Sequence, residues 1–341
     1  MQNTHVHVPC MNPMNRRRAL KTLFCSSAAL SLNLRTQAQA EVAQEALHLL
    51  AIGDFGTGGQ DQKNVAQAMQ AFVGKEKIKP SGLWFIGDNV YGPTQGGFTV
   101  EAKRWKKEIE DMYPASIFPG PQWAVLGNHD YHDNPDGEQV QLAYAKKPGV
   151  RWYMPEKWYR VDLGGAKPLV TFLALDTNFP KISGGKNKKT GAPKTHMSAD
   201  EEARQLEWLK AELAKPRAPF TVVVGHHPLY SNGSHKDTQP LIEQWGDLLQ
   251  EHKVHAYLCG HDHDLQHLEL EGKFTSFVLS GGGGARIRKL TNVTRKMPYG
   301  KDINGFTHLQ IQPDALTISH RGLDGGVLHR FTKKLDGTVV M

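Results

Sequence analysis

The sequence predicts an α/β fold in which helices lie outside two packed sheets within one domain. Between Leu47 and Tyr257, short apolar runs alternate with segments of helical periodicity, a pattern that places helices over the faces of a sheet. After Gly260 the pattern changes to strands joined by turns. Because no low-complexity linker separates the two regions, we expect one domain with two sheets, not two independent domains.

The first region contains apolar runs that predict buried strands, because they are short and bounded by turn residues. They are Leu47–Ile52, Leu83–Ile86, Trp123–Leu126, Leu169–Leu175, Phe220–Val224 and His255–Leu258. The helical segments between them are Gln60–Val73, Val100–Glu110, Ser198–Ala214 and Gln239–Glu251. Ser198, with Glu201 three positions later, has the spacing of a helix N-terminal capping box.

The region after Gly260 is predicted to form an antiparallel sheet, because its alternating strands are joined by turns. The strands are Leu265–Leu270, Phe274–Ser280, Gly305–Ile311, Ala315–His320 and Val327–Phe331. Two segments rich in glycine and basic residues, Phe179–His196 and Gly281–Asn304, predict surface loops. Their cations are either simply solvated or flank a site and attract anionic substrates.

The N-terminal segment differs in composition from the rest of the chain. It contains no acidic residue, and the basic stretch Asn15–Lys21 precedes an apolar stretch, Leu23–Leu34, and the small-residue sequence Ala38–Ala40. This order is typical of a cleaved secretory signal, and the paired arginines resemble a twin-arginine export signal. We therefore predict an export signal over residues 1–40 and one catalytic domain over 41–341. The alternative is a basic amphipathic helix that stays on the chain.

Export through the twin-arginine machinery would place the mature chain in the periplasm or the medium. The formal net charge of +7 includes five basic residues of the signal, so the mature chain is only weakly basic. We therefore expect no nucleic acid as a specific partner. Cys259 is the one cysteine outside the signal, which excludes an intrachain disulfide in the mature chain. No apolar run of about 18 residues occurs, which argues against a membrane span.

Five short motifs each follow the end of a predicted strand. They are GDFG from Gly53, GDNVY from Gly87, GNHD from Gly127, GHHP from Gly225 and GHDH from Gly260. In α/β folds, ligands gather outside the carboxyl ends of the strands, so these motifs can converge. They offer carboxylates, an amide, a phenol and several imidazoles, which suits two metal ions sharing one ligand. Metal pairs of this kind hydrolyse phosphate esters.

This set of motifs resembles the purple acid phosphatases, a family of calcineurin-like metallophosphoesterases, and is most similar to their small tartrate-resistant type. The similarity extends from about Leu47 to Phe331. It implies a four-layer α/β/β/α sandwich of two mixed sheets packed face to face and flanked by helices, with a metal pair at one edge. The implied activity is hydrolysis of small phosphomonoesters through attack by a metal-bound hydroxide.

The resemblance also assigns the metal ligands. Ferric iron would be bound by Asp54, Asp88, Tyr91 and His263, and a divalent ion (Fe, Zn or Mn) by Asp88, Asn128, His226 and His261, with Asp88 bridging. Tyr91 is the discriminating residue. A free phenol has a pKa of about 10, so its binding as phenolate requires a hard, highly charged ion such as Fe(III). The alternative is that Tyr91 only packs beneath its loop.

Histidines and carboxylates around the metals complete the expected site. By the same resemblance His129 and His235 contact the phosphate, where a charged imidazole can donate a proton to the leaving group. Asp130 and Asp262 are expected to orient neighbouring histidines. His132 and His227 either line the site or are solvated or packed.

Two other functions fit the same motifs. One is a phosphodiesterase or nucleotidase of the wider superfamily that uses Mn or Zn. The other is a redox protein whose iron pair produces reactive oxygen species. The leading interpretation is an exported acid phosphatase with a Fe(III)–divalent pair, acting on phosphomonoesters.

Overall fold

The structure is a computed structural model that describes residues 45–186, 191, 193–292 and 294–341. The export signal predicted over residues 1–40 lies outside the described residues. Residues Ala46–Met341 form one compact unit. In the described part of the chain, no helix has both the length and the apolar character that crossing a membrane requires.

The strands alternate with helices in the first two thirds of the described chain. In chain order the strands are β1 (Leu47–Ile52), β2 (Gly82–Ile86), β3 (Gln122–Val125), β4 (Trp152–Tyr153), β5 (Tyr159–Leu163), β6 (Val170–Ala174), β7 (Phe220–Val224), β8 (Ala256–Cys259), β9 (Leu265–Leu268), β10 (Ser276–Ser280), β11 (Tyr299–Lys301), β12 (Phe306–Gln312), β13 (Ala315–Arg321), β14 (Val327–Lys334) and β15 (Val339–Val340). The α-helices are α1 (Gln60–Glu76), α2 (Asn128–His132), α3 (Gly137–Tyr144), α4 (Pro180–Ser183), α5 (Ala199–Ala214) and α6 (Gln239–Glu251).

Within the described residues the strands form two mixed sheets. The first has the order β15-β14-β13-β12-β1-β2-β3-β4, and the second has the order β11-β9-β10-β8-β7-β6-β5. In the first sheet β1 to β4 are parallel, and β12 pairs antiparallel with β1. In the second sheet β6, β7, β8 and β10 are parallel. Each sheet therefore has a parallel centre whose carboxyl ends can hold a site.

Aromatic side chains join the two sheets. Trp84 of β2 packs on Phe172 of β6 with ring centroids 5.0 Å apart, and it stacks on Tyr159 of β5 at 6.3 Å. The next residue, Phe85, points to the opposite face, where it contacts Phe55 at 4.6 Å. This alternation follows from the two-residue repeat of a strand. The centre of β2 is therefore covered on both faces, which explains why its residues are all apolar.

The fold class predicted from the sequence is confirmed, and the boundaries of the central strands agree to within one or two residues. One prediction about the C-terminal region was wrong. Its strands do not form a separate antiparallel sheet, because β10 pairs parallel with β8 in the second sheet while β12 extends the first. The helix predicted over Val100–Glu110 is also shorter than expected, a π-helical segment at Trp105–Glu110.

Candidate metal centre

The candidate ligands lie at the carboxyl ends of the parallel strands of both sheets. The loops after β1 and β2 and the start of α2 supply what we call the oxygen group, which comprises Asp54, Asp88, Tyr91 and Asn128. The loops after β7 and β8 supply the nitrogen group, which comprises His226, His261 and His263. The five loops singled out in the sequence are therefore brought together at one edge of the fold.

The carboxylates of the oxygen group meet at the phenol of Tyr91. Its Oη donates to Asp88 Oδ2 at 2.8 Å and lies 3.2 Å from Asp54 Oδ1. The other oxygen of each carboxylate accepts a backbone N–H, from His261 to Asp54 Oδ2 at 2.8 Å and from His129 to Asp88 Oδ1 at 2.9 Å. These bonds fix both carboxylates with one oxygen turned towards Tyr91.

The nitrogen group approaches the same carboxylates from the second sheet. His226 Nε2 lies 3.4 Å from Asp88 Oδ1, and His263 Nε2 lies 3.4 Å from Asp54 Oδ1. His261 Nδ1 lies 3.3 Å from His226 Nε2. The far nitrogens of two rings bond to the backbone, His226 Nδ1 to the Ile86 carbonyl and His263 Nδ1 to the Arg286 carbonyl. Such bonds orient a metal-binding imidazole and leave Nε2 for the ion.

Asn128 provides a direct test of whether the site fits a metal. Its side-chain Oδ1 is buried and has no hydrogen-bond partner among the described residues, whereas its Nδ2 contacts His132 Nε2 at 3.1 Å. A buried carbonyl oxygen without a partner is costly unless something else satisfies it. A cation bound beside Asp88 would do so, and the mixed oxygen and nitrogen donors suit iron, zinc or manganese.

The electrostatics of the site favour bound cations. Burial, opposed by the charge of His226, raises the pKa of Asp54 well above its usual value. Burial alone would lower the pKa of His226. The negative charges of Asp88 and Asp54 have the larger opposite effect and raise this pKa to about 10. The carboxylates therefore attract positive charge at His226 Nε2, whether a proton or a metal ion. Burial and the two carboxylates raise the pKa of Tyr91 well above its usual value.

The backbone of the ligand loops is strained in a way that only a few residue types tolerate. Asp54, Asp88 and His261 have φ angles of 58°, 53° and 69°, in the left-handed region that non-glycine residues rarely adopt. The preceding Gly260 has no room for a side chain, because a Cβ there would lie 2.5 Å from Asp54 Oδ2. Strain of this kind is concentrated at functional sites, where the surrounding structure enforces it.

The two outer histidines lie on different sides of the ligands. The His129 ring is 4.4 Å from the Tyr91 ring, and the His235 ring is 4.0 Å from the His261 ring. The carboxylate that holds His235 is Asp262, with Oδ1 at 2.8 Å from Nδ1. His129 Nδ1, in contrast, bonds Asp133 Oδ2 at 2.7 Å.

Asp130 has a different hydrogen-bonding role from the one expected. Its carboxylate does not orient His129, because it accepts the backbone N–H groups of Asn89, Val90 and Gly127 and the side-chain amide of Gln141. Asp130 therefore fixes the loop that carries Asp88 rather than a neighbouring histidine. The residue that bonds His129 is Asp133, which the sequence analysis did not single out. The four-residue spacing between His129 on α2 and Asp133 just after it was the signal available.

A cavity of about 520 Å³ opens beside the nitrogen group. Its lining includes Asn128, His132, His227, His235 and His261. His227 is buried, and its Nδ1 lies 2.7 Å from Thr177 Oγ1. Lys181, Ile182 and Ser183 of α4 and Lys194 from the segment after it also line the cavity.

Comparison with known proteins agrees with this architecture. The family model described as calcineurin-like phosphoesterase matches residues 47–265, so the chain belongs to the calcineurin-like phosphoesterase family. Within that family it is similar to acid phosphatases. It is 30% identical to tartrate-resistant acid phosphatase type 5 of Mus musculus over 83% of this chain and 89% of that protein. It is also 30% identical to purple acid phosphatase 7 of Arabidopsis thaliana over 91% of this chain and 93% of that protein.

Among solved structures, GAP50, described as the anchor in the inner membrane complex of Plasmodium, matches with a TM-score of 0.67. Its sequence is 20% identical, and the match covers 85% of this chain and 88% of that one. This likeness supports the fold alone. The resemblance to purple acid phosphatases stated from the motifs is confirmed, and the chain is a phosphoesterase of that kind.

Proposed function

We propose that this chain is a dinuclear-metal acid phosphatase that hydrolyses small phosphomonoesters. The observation that carries the proposal is the position of Tyr91 Oη, within 3.2 Å of both Asp54 and Asp88 carboxylates and of His263 Nε2. Four donor atoms of the type that ferric iron accepts therefore meet at one point. Similarity to acid phosphatases over most of the chain supports the same activity.

The oxygen and nitrogen groups divide into two ligand sets. Asp54, Asp88, Tyr91 and His263 would hold Fe(III). Asp88, Asn128, His226 and His261 would hold a divalent iron, zinc or manganese ion, with Asp88 in both sets. When bound, such a pair supplies a water of lowered pKa as the nucleophile and stabilises negative charge on the phosphate oxygens.

The outer histidines of the chain would bind the phosphate and move a proton. Burial lowers the pKa of His129, but the charges of Asp88 and Asp133 outweigh it and raise the pKa above its usual value. A protonated His129 would share its proton with a phosphate oxygen. His235, which lines the cavity and whose Nδ1 lies 2.8 Å from Asp262 Oδ1, would donate a proton to the oxygen of the leaving group.

Two measurements together test the assignment: the visible absorption spectrum and the preference for a monoester over a diester. We expect iron-loaded wild-type protein to show a visible charge-transfer band that Tyr91→Phe removes. Tyr113→Phe is the matched control, because Tyr113 is buried and its hydroxyl has no hydrogen-bond partner among the described residues. p-Nitrophenyl phosphate should be hydrolysed much faster than bis(p-nitrophenyl) phosphate. A colourless protein that prefers the diester would instead favour a phosphodiesterase with Mn or Zn.

The redox alternative has its own readout. Peroxide-dependent oxidation that survives the double substitution of His129 and His235 by alanine, while phosphatase activity falls, would favour a redox protein. The acid phosphatase proposal expects the opposite, namely phosphatase activity as the main turnover of the wild-type enzyme.

Export is the part of the proposal that rests on residues 1–40. Their basic, apolar and small-residue segments in that order support removal of a twin-arginine signal and release to the periplasm or medium. A protein exported folded can receive its metals before it crosses the membrane. We expect replacement of Arg16 and Arg17 by lysine to leave metal-loaded enzyme in the cytoplasm, measured by fractionation and iron content. Unchanged export of that variant would contradict the twin-arginine route.

A further inference from the structure

The cavity beside the nitrogen group is larger than a phosphate group requires. Its volume of about 520 Å³ lies in the range of sites that enclose a whole small molecule. Two of the proposed ligands, Asn128 and His261, and the outer histidine His235 line this cavity, so the scissile phosphate would bind against them. The other lining residues would then meet the leaving group of the substrate and would determine which leaving groups bind well.

Two lysines, Lys181 and Lys194, are among these other lining residues. Lys181 lies on the short helix α4, whose turn is closed by bonds from the Ile182 and Ser183 N–H groups to the Phe179 carbonyl. The chain then returns alongside the same helix. Lys194 is held there by its N–H bond to the Gly185 carbonyl at 2.8 Å. Both lysines reach the cavity from backbone positions that hydrogen bonds fix.

The charges of these lysines are not neutralised within the described residues. No carboxylate of the described chain forms an ion pair with Lys181 or Lys194. Among the described residues, Asp237 is the one carboxylate that lines the cavity, and it is paired with Arg295, whose Nη1 lies 2.8 Å from Asp237 Oδ1. Within the described part of the chain, an anion here would therefore meet two lysines without ion-pair partners and a carboxylate that an arginine already pairs.

We infer that Lys181 and Lys194 form a subsite for a second phosphate, carried by the leaving group of the substrate. The inference rests on the proposed phosphatase function and narrows its substrates to compounds with a terminal phosphate on an anionic phosphate chain. Water adds to the terminal phosphorus, the bond to the bridging oxygen breaks, and that oxygen keeps the electron pair as part of the leaving phosphate. The lysines stabilise the negative charge of the leaving phosphate, and their flexible stems suit chains of different length.

A matched pair of probes isolates this subsite. ADP and AMP differ by one phosphate, so the ratio of their kcat/KM values reports how much the enzyme favours an anionic leaving group. In Lys181→Gln/Lys194→Gln we expect that ratio to fall about tenfold, because each partly exposed ion pair changes affinity by a few fold. The loss should appear mainly in KM, and the wild-type preference for ADP should weaken as salt is added.

A second lysine pair provides the control. Lys103 and Lys107 line a different cavity, of about 770 Å³, on the Tyr91 side of the centre. Lys103→Gln/Lys107→Gln removes the same charge near the site and should leave the ADP to AMP ratio within about twofold of wild type. Both double variants should keep the wild-type kcat for p-nitrophenyl phosphate, which also shows that they are folded.

The possible failures are distinguishable. An unchanged ADP to AMP ratio in Lys181→Gln/Lys194→Gln would overturn the subsite while leaving the phosphatase intact. An equal fall in both double variants would also overturn it, because general attraction of anions would then explain the preference. Absence of p-nitrophenyl phosphate hydrolysis in iron-loaded wild type would overturn the proposed function itself, and with it this inference.

Discussion

The two sheets contribute different chemistry to the metal centre. Loops of the first sheet supply the oxygen group, with two carboxylates, a phenol and an amide, whereas loops of the second sheet supply the nitrogen group of three imidazoles. The negative charge of the ligands therefore lies on the first sheet. The imidazole donors lie on the second, where burial and the neighbouring imidazoles lower the pKa of His261 well below its usual value.

This division shows that neither sheet can form the centre by itself. A hard ion is attracted by the oxygen group, but each proposed ion also needs imidazoles from the other sheet. The distance between the groups is set by packing across the interface, where Trp84 meets Phe172. Core residues far from the ligands therefore help to determine the geometry of the centre.

The largest expected effect comes from the oxygen group. Asp88→Asn keeps the shape of the bridging residue and removes its charge, so both ions should bind weakly. We expect kcat/KM to fall by about a thousandfold or more, with loss of both metals measured by elemental analysis.

The contrasting substitution lies in the nitrogen group. His261→Ala should lower the content of the divalent ion and retain ferric iron, since His261 belongs to only one of the proposed ligand sets. If His261→Ala lost both ions as readily as Asp88→Asn, the division of ligands between two ions would be wrong.

An intermediate effect is expected at Asp133. Its carboxylate holds His129 Nδ1 at 2.7 Å and His132 Nδ1 at 3.1 Å. Asp133→Asn should lower kcat by about tenfold to a hundredfold, as loss of a carboxylate that orients a site histidine commonly does. Metal content should stay at the wild-type level. Asp262→Asn is the counterpart on the other side, where the affected histidine is His235.

The smallest expected effect tests the interface between the sheets. Phe172→Leu should lower the free energy of unfolding by about 1 kcal/mol, measured by urea denaturation, and weaken metal affinity several-fold. Phe98→Leu is the control, because Phe98 is also buried but packs on Trp105 away from the interface. Equal changes of metal affinity in both variants would show that stability, not the spacing of the sheets, controls the centre.

The sequence predicted the ligand loops well because each motif follows a buried strand. Asp54, Asp88 and His226 lie just past β1, β2 and β7, so a local pattern was enough to place them at one edge. The pairing of the C-terminal strands was not predictable in the same way. β1 pairs with β12, more than 250 residues later, with Leu47 opposite Ile311, and no local pattern encodes such a contact.

The hydrogen-bonding roles of neighbouring carboxylates also required the structure. Asp130 and Asp133 are both close to His129 in sequence, but only Asp133 lies one helical turn beyond it and bonds its ring. The segment Phe179–His196 is irregular over its described residues apart from the short helix α4, which the sequence did not predict. Its approach to the cavity depends on backbone bonds across the segment, which composition does not specify.

The separation of the two ligand groups along the chain affects how the protein is made. All oxygen ligands lie between residues 54 and 128, and all nitrogen ligands lie between residues 226 and 263. At about 5–20 residues per second of synthesis, Asp88 leaves the ribosome roughly 7–28 s before His226, the first ligand histidine. During that interval the proposed metal ligands already made are all oxygen donors, which suit magnesium or calcium as well as iron. Selective loading with transition metals must therefore wait until the histidines of the second sheet have been translated and folded.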